Sequence, residues 1–148
     1  MCSRGGSRMN RILVAADGSK YSKKAIFKAK QLATSLNSEV VVITVANIWD
    51  NVYVQNRELK TELGKTAISH AQKVLKEAEE IFEGFPGKFS TVYKTGDIVD
   101  EIVKYAEEGD FDLLVMGSRG LGAFSRTLLG SVSDKVIHHI KISVLIVK

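Results

Sequence analysis

A chain of 148 residues, 45% of them hydrophobic, has the size and apolar fraction of one compact domain with a buried core. Two of its four net positive charges fall in the leader, Met1–Arg8, and the two that remain are too few to indicate nucleic-acid or anionic-membrane binding. No run is apolar for the roughly eighteen residues of a membrane span, and the leader lacks the apolar stretch of a secretory signal. We therefore expect a cytoplasmic protein.

The single cysteine, Cys2, also lies in the leader. The sequence therefore provides no intramolecular disulfide and no paired-cysteine metal site. The leader has no periodicity, and a second methionine, Met9, precedes the first apolar run. We interpret residues 1–8 as a flexible tail, an upstream start or a cloning remnant, and residues 9–148 as the single domain.

The first half of the chain alternates between short apolar runs and segments of helical period. Arg11–Ala16 predicts a first strand. In Lys23–Leu36, alanines and leucines recur on one face, which predicts an amphipathic helix with Ser22 as its N-cap. The unbroken apolar run in Glu39–Ala46 is typical of a strand covered on both faces. Residues 47–58, which hold the only tryptophan, have no clear period.

The second half continues the alternation. Apolar residues at steps of three and four, among them Leu63, predict a long helix over Leu59–Phe82. A strand at Phe89–Lys94, a helix at Ile98–Glu107 and a buried strand at Asp112–Gly117 follow. The chain then closes with a glycine-rich turn, a helix that begins near Ser131 and carries Val132, Val136 and Ile140 on one face, and a last strand at Ser143–Lys148.

Strands that alternate with helices predict an α/β fold with an open five-stranded parallel sheet and helices on both faces. Because each connection is right-handed, the sheet must reverse its winding direction once to cover both faces. Ligands bind at this reversal, beyond the carboxyl ends of the strands. Loops rich in glycine, serine and aspartate follow the first and fourth strands, so we place the reversal between those two.

The turn from Gly117 to Ser131 is suited to bind an anion. Its glycines let successive amide groups approach a ligand, and Ser131 adds a hydroxyl at a helix N-terminus. The turn is not a dinucleotide fingerprint, because Ser125 stands where the third glycine belongs. It is not a Walker loop either, because Ala123 and Phe124 replace the lysine and its hydroxyl neighbour. By spacing alone, a purely structural turn remains an alternative.

The turn instead matches G-x2-G-x9-G-S/T through Gly117, Gly120, Gly130 and Ser131, and here the chain resembles the universal stress protein family. The likeness spans nearly all of Met9–Lys148, from the opening Ile-Leu-Val-x-x-Asp-Gly-Ser to the closing Val-Leu-Ile-Val. The resemblance implies a Rossmann-like, adenine nucleotide alpha hydrolase-like fold with sheet order 3-2-1-4-5. It also implies ATP binding and a homodimer.

The resemblance assigns candidate nucleotide contacts position by position. Those expected to border the adenosine and the ribose are Asp17, Val45, Met116 and Gly117. Those expected at the phosphates are Gly120, Gly130, Ser131, Val132 and, in an assisting role, Ser133. Ala15, where the family often has a proline, completes this set. Apart from the resemblance, Arg119 and Arg126 could pair with phosphate oxygens, although an arginine in an exposed loop is more often a solvated surface charge.

Asp17 has two interpretations, which are compatible: it caps the helix after the first strand, or it touches the ligand. Its negative charge would repel a phosphate unless a cation intervenes, so the metal hypothesis is Mg2+ bound through Asp17. The three histidines, His70, His138 and His139, lack cysteines or carboxylates at ligand spacing. We interpret them as surface residues.

Three functions remain open at this point. The favoured one is an ATP-binding regulatory or stress-response module with little or no turnover, and we assign no catalytic residue. The alternative is a slow ATP hydrolase or phosphotransfer enzyme, for which the sequence provides no Walker lysine and no general base beyond Asp17. The third is a dimerisation module with an empty pocket. The apolar last strand, Ser143–Lys148, lies at a sheet edge in the implied order and predicts a homodimer through that edge.

Overall fold

The computed structural model describes residues 9–47, 57–120 and 129–148. Strands and helices alternate along this part of the chain. The strands are β1 Arg11–Ala15, β2 Glu39–Ala46, β3 Phe89–Thr95, β4 Leu113–Gly117 and β5 Ser143–Val147. The helices are α1 Lys20–Leu36, α2 Arg57–Ile81, α3 Ile98–Glu108 and α4 Ser131–His139. Most of the segment without a clear period, residues 48–56 with Trp49 and Tyr53, lies outside the described residues.

All five strands are parallel and lie in the order β3-β2-β1-β4-β5, which confirms the predicted fold class and strand order. From β1 the chain winds outward through β2 to β3, then crosses back to place β4 on the other side of β1. The winding direction therefore reverses between β1 and β4, as predicted. The amino-terminal ends of β1 and β4 are also linked. Asp112, directly before β4, accepts hydrogen bonds from the backbone N–H groups of Asn10 and Arg11, each at 2.9 Å.

The central strands are buried on both faces because their side chains alternate between two separate apolar cores. In β1, Ile12 and Val14 pack against α1 and α2, whereas Leu13 and Ala15 pack against α3 and α4. The same alternation in β2 explains why its apolar run is unbroken. Each face of the sheet thus has its own layer of helices.

The start of α1 differs from the prediction. Ser19, not Ser22, is the N-cap: its hydroxyl oxygen accepts a hydrogen bond from the Ser22 N–H at 3.1 Å, and the helix begins at Lys20. The reason lies in the preceding turn. Gly18 has a φ of +89°, which redirects the chain early enough for the next residue to cap the helix. Leu36, expected on the buried face, is half exposed at the far end of α1.

The amino-terminal half of α2 also differs from the prediction. Leu59 and Leu63 are 48% and 47% exposed, and the buried residues of the helix begin only at Ala71. A helix of 25 residues is roughly 37 Å long, whereas the eight residues of β2 span roughly 26 Å. The helix α2 therefore extends beyond the edge of the sheet, and only its carboxyl-terminal half packs against the sheet. Among the described residues, we find no helix that combines the length and the apolar character needed to cross a bilayer.

Candidate functional site

A cleft opens at the carboxyl ends of β1, β2 and β4, where the winding direction reverses. It encloses about 520 Å³ of space, part of it open to solvent. One wall is apolar and is formed by Ile43, Val45, Ile98, Ile102, Met116 and Val132. The rest of the lining is small or polar and consists of Ala15, Ala16, Asp17, Ser22, Gly117, Arg119, Gly120 and Ser133. An apolar wall that faces a few polar groups is typical of small-molecule sites.

Nine of the eleven candidate residues line this one cleft: Ala15, Asp17, Val45, Met116, Gly117, Arg119, Gly120, Val132 and Ser133. The other two, Gly130 and Ser131, do not line it, but they lie beside it. Gly130 donates its N–H to the carbonyl of Ser118 at 2.7 Å, which joins the two ends of the glycine-rich turn. The middle of that turn, including Arg126, lies outside the described residues.

Five lining residues were not predicted from the sequence: Ala16, Ser22, Ile43, Ile98 and Ile102. Ile43 could have been predicted from the sequence. Alternation in β2 places it on the same face as Val45, which the prediction included. For Ile98 and Ile102 the sequence shows only that they share a helix face, and the packing of α3 against the sheet decides that this face reaches the cleft.

Asp17 lies in a tightly held turn between β1 and α1. One of its carboxylate oxygens accepts the Ser19 N–H at 2.9 Å. Its carbonyl lies 2.9 Å from Nε2 of His70 on α2, and because a carbonyl can only accept, Nε2 must carry the proton. His70 is exposed, as predicted, but it also holds this turn. Asp17 therefore holds the turn before α1 and does not cap the helix, whose N-cap is Ser19. The second carboxylate oxygen of Asp17 lies on the side of Gly120.

The described part of the glycine-rich turn is anchored through its backbone. Ser118 is buried and donates its N–H to the carbonyl of Val147 in β5 at 2.8 Å. The Ser133 hydroxyl donates to the carbonyl of Gly117 at 2.8 Å. Its hydrogen is therefore engaged within the protein, which leaves the hydroxyl only as an acceptor. Ser133 thus supports the turn, and this geometry does not favour it as a donor to an anion.

The amino-terminal end of α4 borders the cleft through Val132 and Ser133. Its N-cap, Gly130, has no side chain to accept the first amide hydrogens of the helix. Because helix N-termini carry a partial positive charge, this end of α4 is suited to an anion. Its one acidic first-turn residue, Asp134, is exposed.

Within the described ranges, no group of three or more histidine, cysteine, aspartate or glutamate side chains could hold a metal ion by itself. Asp17 is the carboxylate that lines the cleft. A cation there would need ligands from the bound molecule or from water in addition to Asp17.

The strand order, the two helix layers and a cleft at the reversal define a doubly wound α/β protein of the Rossmann-like class. A model of the universal stress protein family matches residues 9–148, and the chain belongs to this family. The universal stress protein YxiE of Bacillus subtilis (strain 168) is 33% identical over 150 residues, covering 94% of this chain and 99% of that protein.

Solved structures agree with this assignment. The universal stress protein UspA from Lactobacillus plantarum has a TM-score of 0.88 at 21% identity and covers 97% of this chain and 100% of its own. A universal stress protein solved in complex with cAMP has a TM-score of 0.71 at 29% identity, over 95% of this chain and 98% of its own. The family fold is therefore shown, together with nucleotide binding by a structural neighbour.

We expect alanine at two cleft glycines to destabilise the fold to different extents. A Cβ at Gly117 would lie 2.7 to 2.9 Å from the Cβ and backbone of Tyr21, so Gly117→Ala should cost about 2–3 kcal/mol of unfolding free energy. A Cβ at Gly120 would lie 2.5 Å from an Asp17 carboxylate oxygen, which can rotate away, so Gly120→Ala should cost about 1 kcal/mol.

Gly64 provides the matched control, because a Cβ there has nothing within 4 Å. Gly64→Ala removes a flexible residue from α2 and should stabilise the protein by about 0.5–1 kcal/mol. Urea denaturation of the three variants measures all of these values. Equal stability of Gly117→Ala and the parent protein would contradict the close packing of β4 on α1.

Proposed function

We propose that the cleft binds ATP and that the protein is a regulatory, stress-response module with little or no turnover. The observation that carries the proposal is the meeting of two chemically different surfaces in one cleft. An apolar wall faces a glycine-rich turn and an uncapped helix N-terminus. A nucleotide has the same division, with an apolar base at one end and phosphates at the other.

The apolar wall fits the base. Ile43 and Val45 come from β2, and Ile98 and Ile102 come from α3, so the base would lie between a strand and a helix. Branched aliphatic side chains on both sides exclude water from a planar ring. The cAMP complex of the neighbour at 29% identity supports an adenine nucleotide over other ligands.

The opposite end of the cleft fits the phosphates. Gly120 lines the cleft and has no side chain that would hold an anion away from its amide, and α4 directs its positive end to the same region. Arg119 lines the cleft and adds a full positive charge. Asp17 opposes this charge pattern, and we therefore include Mg2+ in the proposal, bound to the phosphates and to Asp17.

The low turnover follows from what the described chain offers for phosphoryl transfer. Such transfer needs fixed cations and a positioned water or acceptor group. The cleft carboxylate, Asp17, accepts the Ser19 N–H with one oxygen, and its other oxygen would bind the proposed cation. A slow ATP hydrolase remains the alternative, and a phosphate-release assay on the purified protein distinguishes the two. The cytoplasmic location remains a prediction from the sequence.

The first test places a branched side chain at Gly130. Its φ of −71° suits any residue, but a Cβ there would lie 3.2 Å from the Cα of Arg119. Gly130→Val should therefore push the two ends of the turn apart and weaken ATP binding at least about tenfold, measured by isothermal calorimetry. Gly64→Val, in open space on α2, is the control and should bind ATP normally. Unchanged affinity in Gly130→Val would exclude this turn as the phosphate site.

The second test separates the cation from the turn geometry. Asp17→Asn keeps an oxygen that can accept the Ser19 N–H but removes the negative charge. The variant should weaken ATP binding when Mg2+ is present and strengthen it slightly in EDTA, because a carboxylate without a cation repels phosphates. Calorimetric titrations in the two buffers give the comparison. Equal losses in both would reduce Asp17 to a structural role.

We also propose a homodimer through the edge strand β5. Because Val147 accepts the Ser118 N–H, it directs its backbone groups toward β4, and the alternating pattern directs those of Ile146 outward. An edge with free backbone groups and apolar side chains favours pairing with a second copy across a two-fold axis. Light scattering should then give about twice the 16.3 kDa chain mass.

Ile146→Pro removes an outward donor without breaking the ladder to β4, and it should shift the protein to monomer. The matched control is Tyr93→Pro on β3, the other edge of the sheet. There Lys88 accepts the Val40 N–H, so the backbone of Tyr93 also points outward. This control should remain dimeric. A monomeric parent protein would refute the edge-pairing proposal.

A further inference from the structure

Three cationic side chains converge on the ring of Tyr21 beside the cleft. Lys20 Nζ lies 5.2 Å from the ring centroid, Lys24 Nζ 5.8 Å and Arg119 Cζ 5.9 Å. Arg119 also lines the cleft, and the Tyr21 backbone packs against Gly117. We call Lys20, Lys24 and Arg119 the cationic rim. The rim is thus continuous with the end of the cleft that fits phosphates.

The position of the two lysines is electrostatically unfavourable for the protein alone. Lys20 and Lys24 are four residues apart on α1, where like charges repel. They also lie at the amino-terminal end of that helix, which is itself partly positive, and its first turn contains no acidic residue. Lys23 shows the contrast: it lies in the same turn but is 3.6 Å from a carboxylate oxygen of Glu77.

The described part of the chain gives the rim no comparable partner. Within the described ranges, no carboxylate lies within 4.0 Å of the charged groups of Lys20, Lys24 or Arg119. The tyrosine ring attracts all three cations through its face, which keeps them together but leaves their charges in place. A local arrangement that costs stability without a compensating contact is typical of a functional site.

We infer that the cationic rim binds the outer phosphates of the nucleotide and makes the cleft prefer nucleoside triphosphates to monophosphates. This inference rests on the proposed function. The glycine-rich turn and α4 suffice for the phosphate next to the ribose. The additional negative charge of a triphosphate lies farther from the base, where Arg119 connects the cleft to the two lysines. The rim therefore distinguishes nucleotides by their number of phosphates and does not contact the base.

The test compares ATP with AMP by isothermal calorimetry. In the double variant Lys20→Gln/Lys24→Gln, ATP affinity should fall about fivefold to tenfold, because each exposed pair of opposite charges contributes modestly. AMP affinity should change less than about twofold, since its one phosphate lies at the turn. Adding salt should weaken ATP binding more steeply in the parent protein than in the variant, because screening acts on the same charges.

The matched control is Lys28→Gln/Lys88→Gln, which removes the same net charge. Both lysines are exposed, and Lys88 precedes the amino-terminal end of β3, away from the cleft. The control should bind both nucleotides like the parent protein. Thermal melting of the ligand-free proteins adds a second measurement: relief of the repulsion should leave the melting temperature of Lys20→Gln/Lys24→Gln unchanged or raise it, while its ATP affinity falls.

Equal losses of ATP and AMP affinity, or no loss of either, would overturn the inference while leaving ATP binding intact. A loss of ATP affinity of the same size in the control would also overturn it, because net charge would then be the cause. If the unmodified protein binds neither nucleotide, the proposed function is wrong and the inference falls with it.

Discussion

The neighbouring position of β1 and β4 is the constraint on which the rest of the structure depends. Both strands are buried on both faces, so helices must cover the sheet twice, and right-handed connections then require one reversal of direction. At the reversal, the turns that follow these two strands leave the sheet side by side with no helix between them. The cleft is the space that remains, and residues far apart in the chain, such as Asp17 and Gly120, meet there.

Contacts around the cleft are arranged so that backbone, more than side chains, sets its shape. Gly117 packs on the backbone of Tyr21, Gly130 bonds to Ser118, and Ser118 bonds to Val147 at the end of β5. The last of these bonds links the glycine-rich turn directly to the edge strand of the sheet. A rigid backbone frame of this kind holds amide groups in place before a ligand arrives, which lowers the entropic cost of binding.

Electrostatics around the cleft are asymmetric. The end of α4, Arg119 and the two lysines on α1 supply positive charge on the side where phosphates would lie, and Asp17 is the opposing carboxylate in the lining. The apolar wall carries no charge. This division would orient a nucleotide without base-specific hydrogen bonds. In the ligand-free protein the same positive charges repel one another.

The sequence by itself determined the features that depend on short-range patterns. The apolar run of Glu39–Ala46 predicted a central strand, because a strand covered on both faces is apolar at successive positions. The spacing of Gly117, Gly120 and Gly130 predicted the turn, because close approach of the backbone requires residues without side chains. Tertiary structure decided the rest. Only the tertiary structure shows that Ile98 and Ile102 face the cleft and that α2 extends beyond the sheet at Leu59. Only the tertiary structure brings Lys20, Lys24 and Arg119 together around the ring of Tyr21. Each of these depends on contacts between residues many positions apart, which local periodicity does not record.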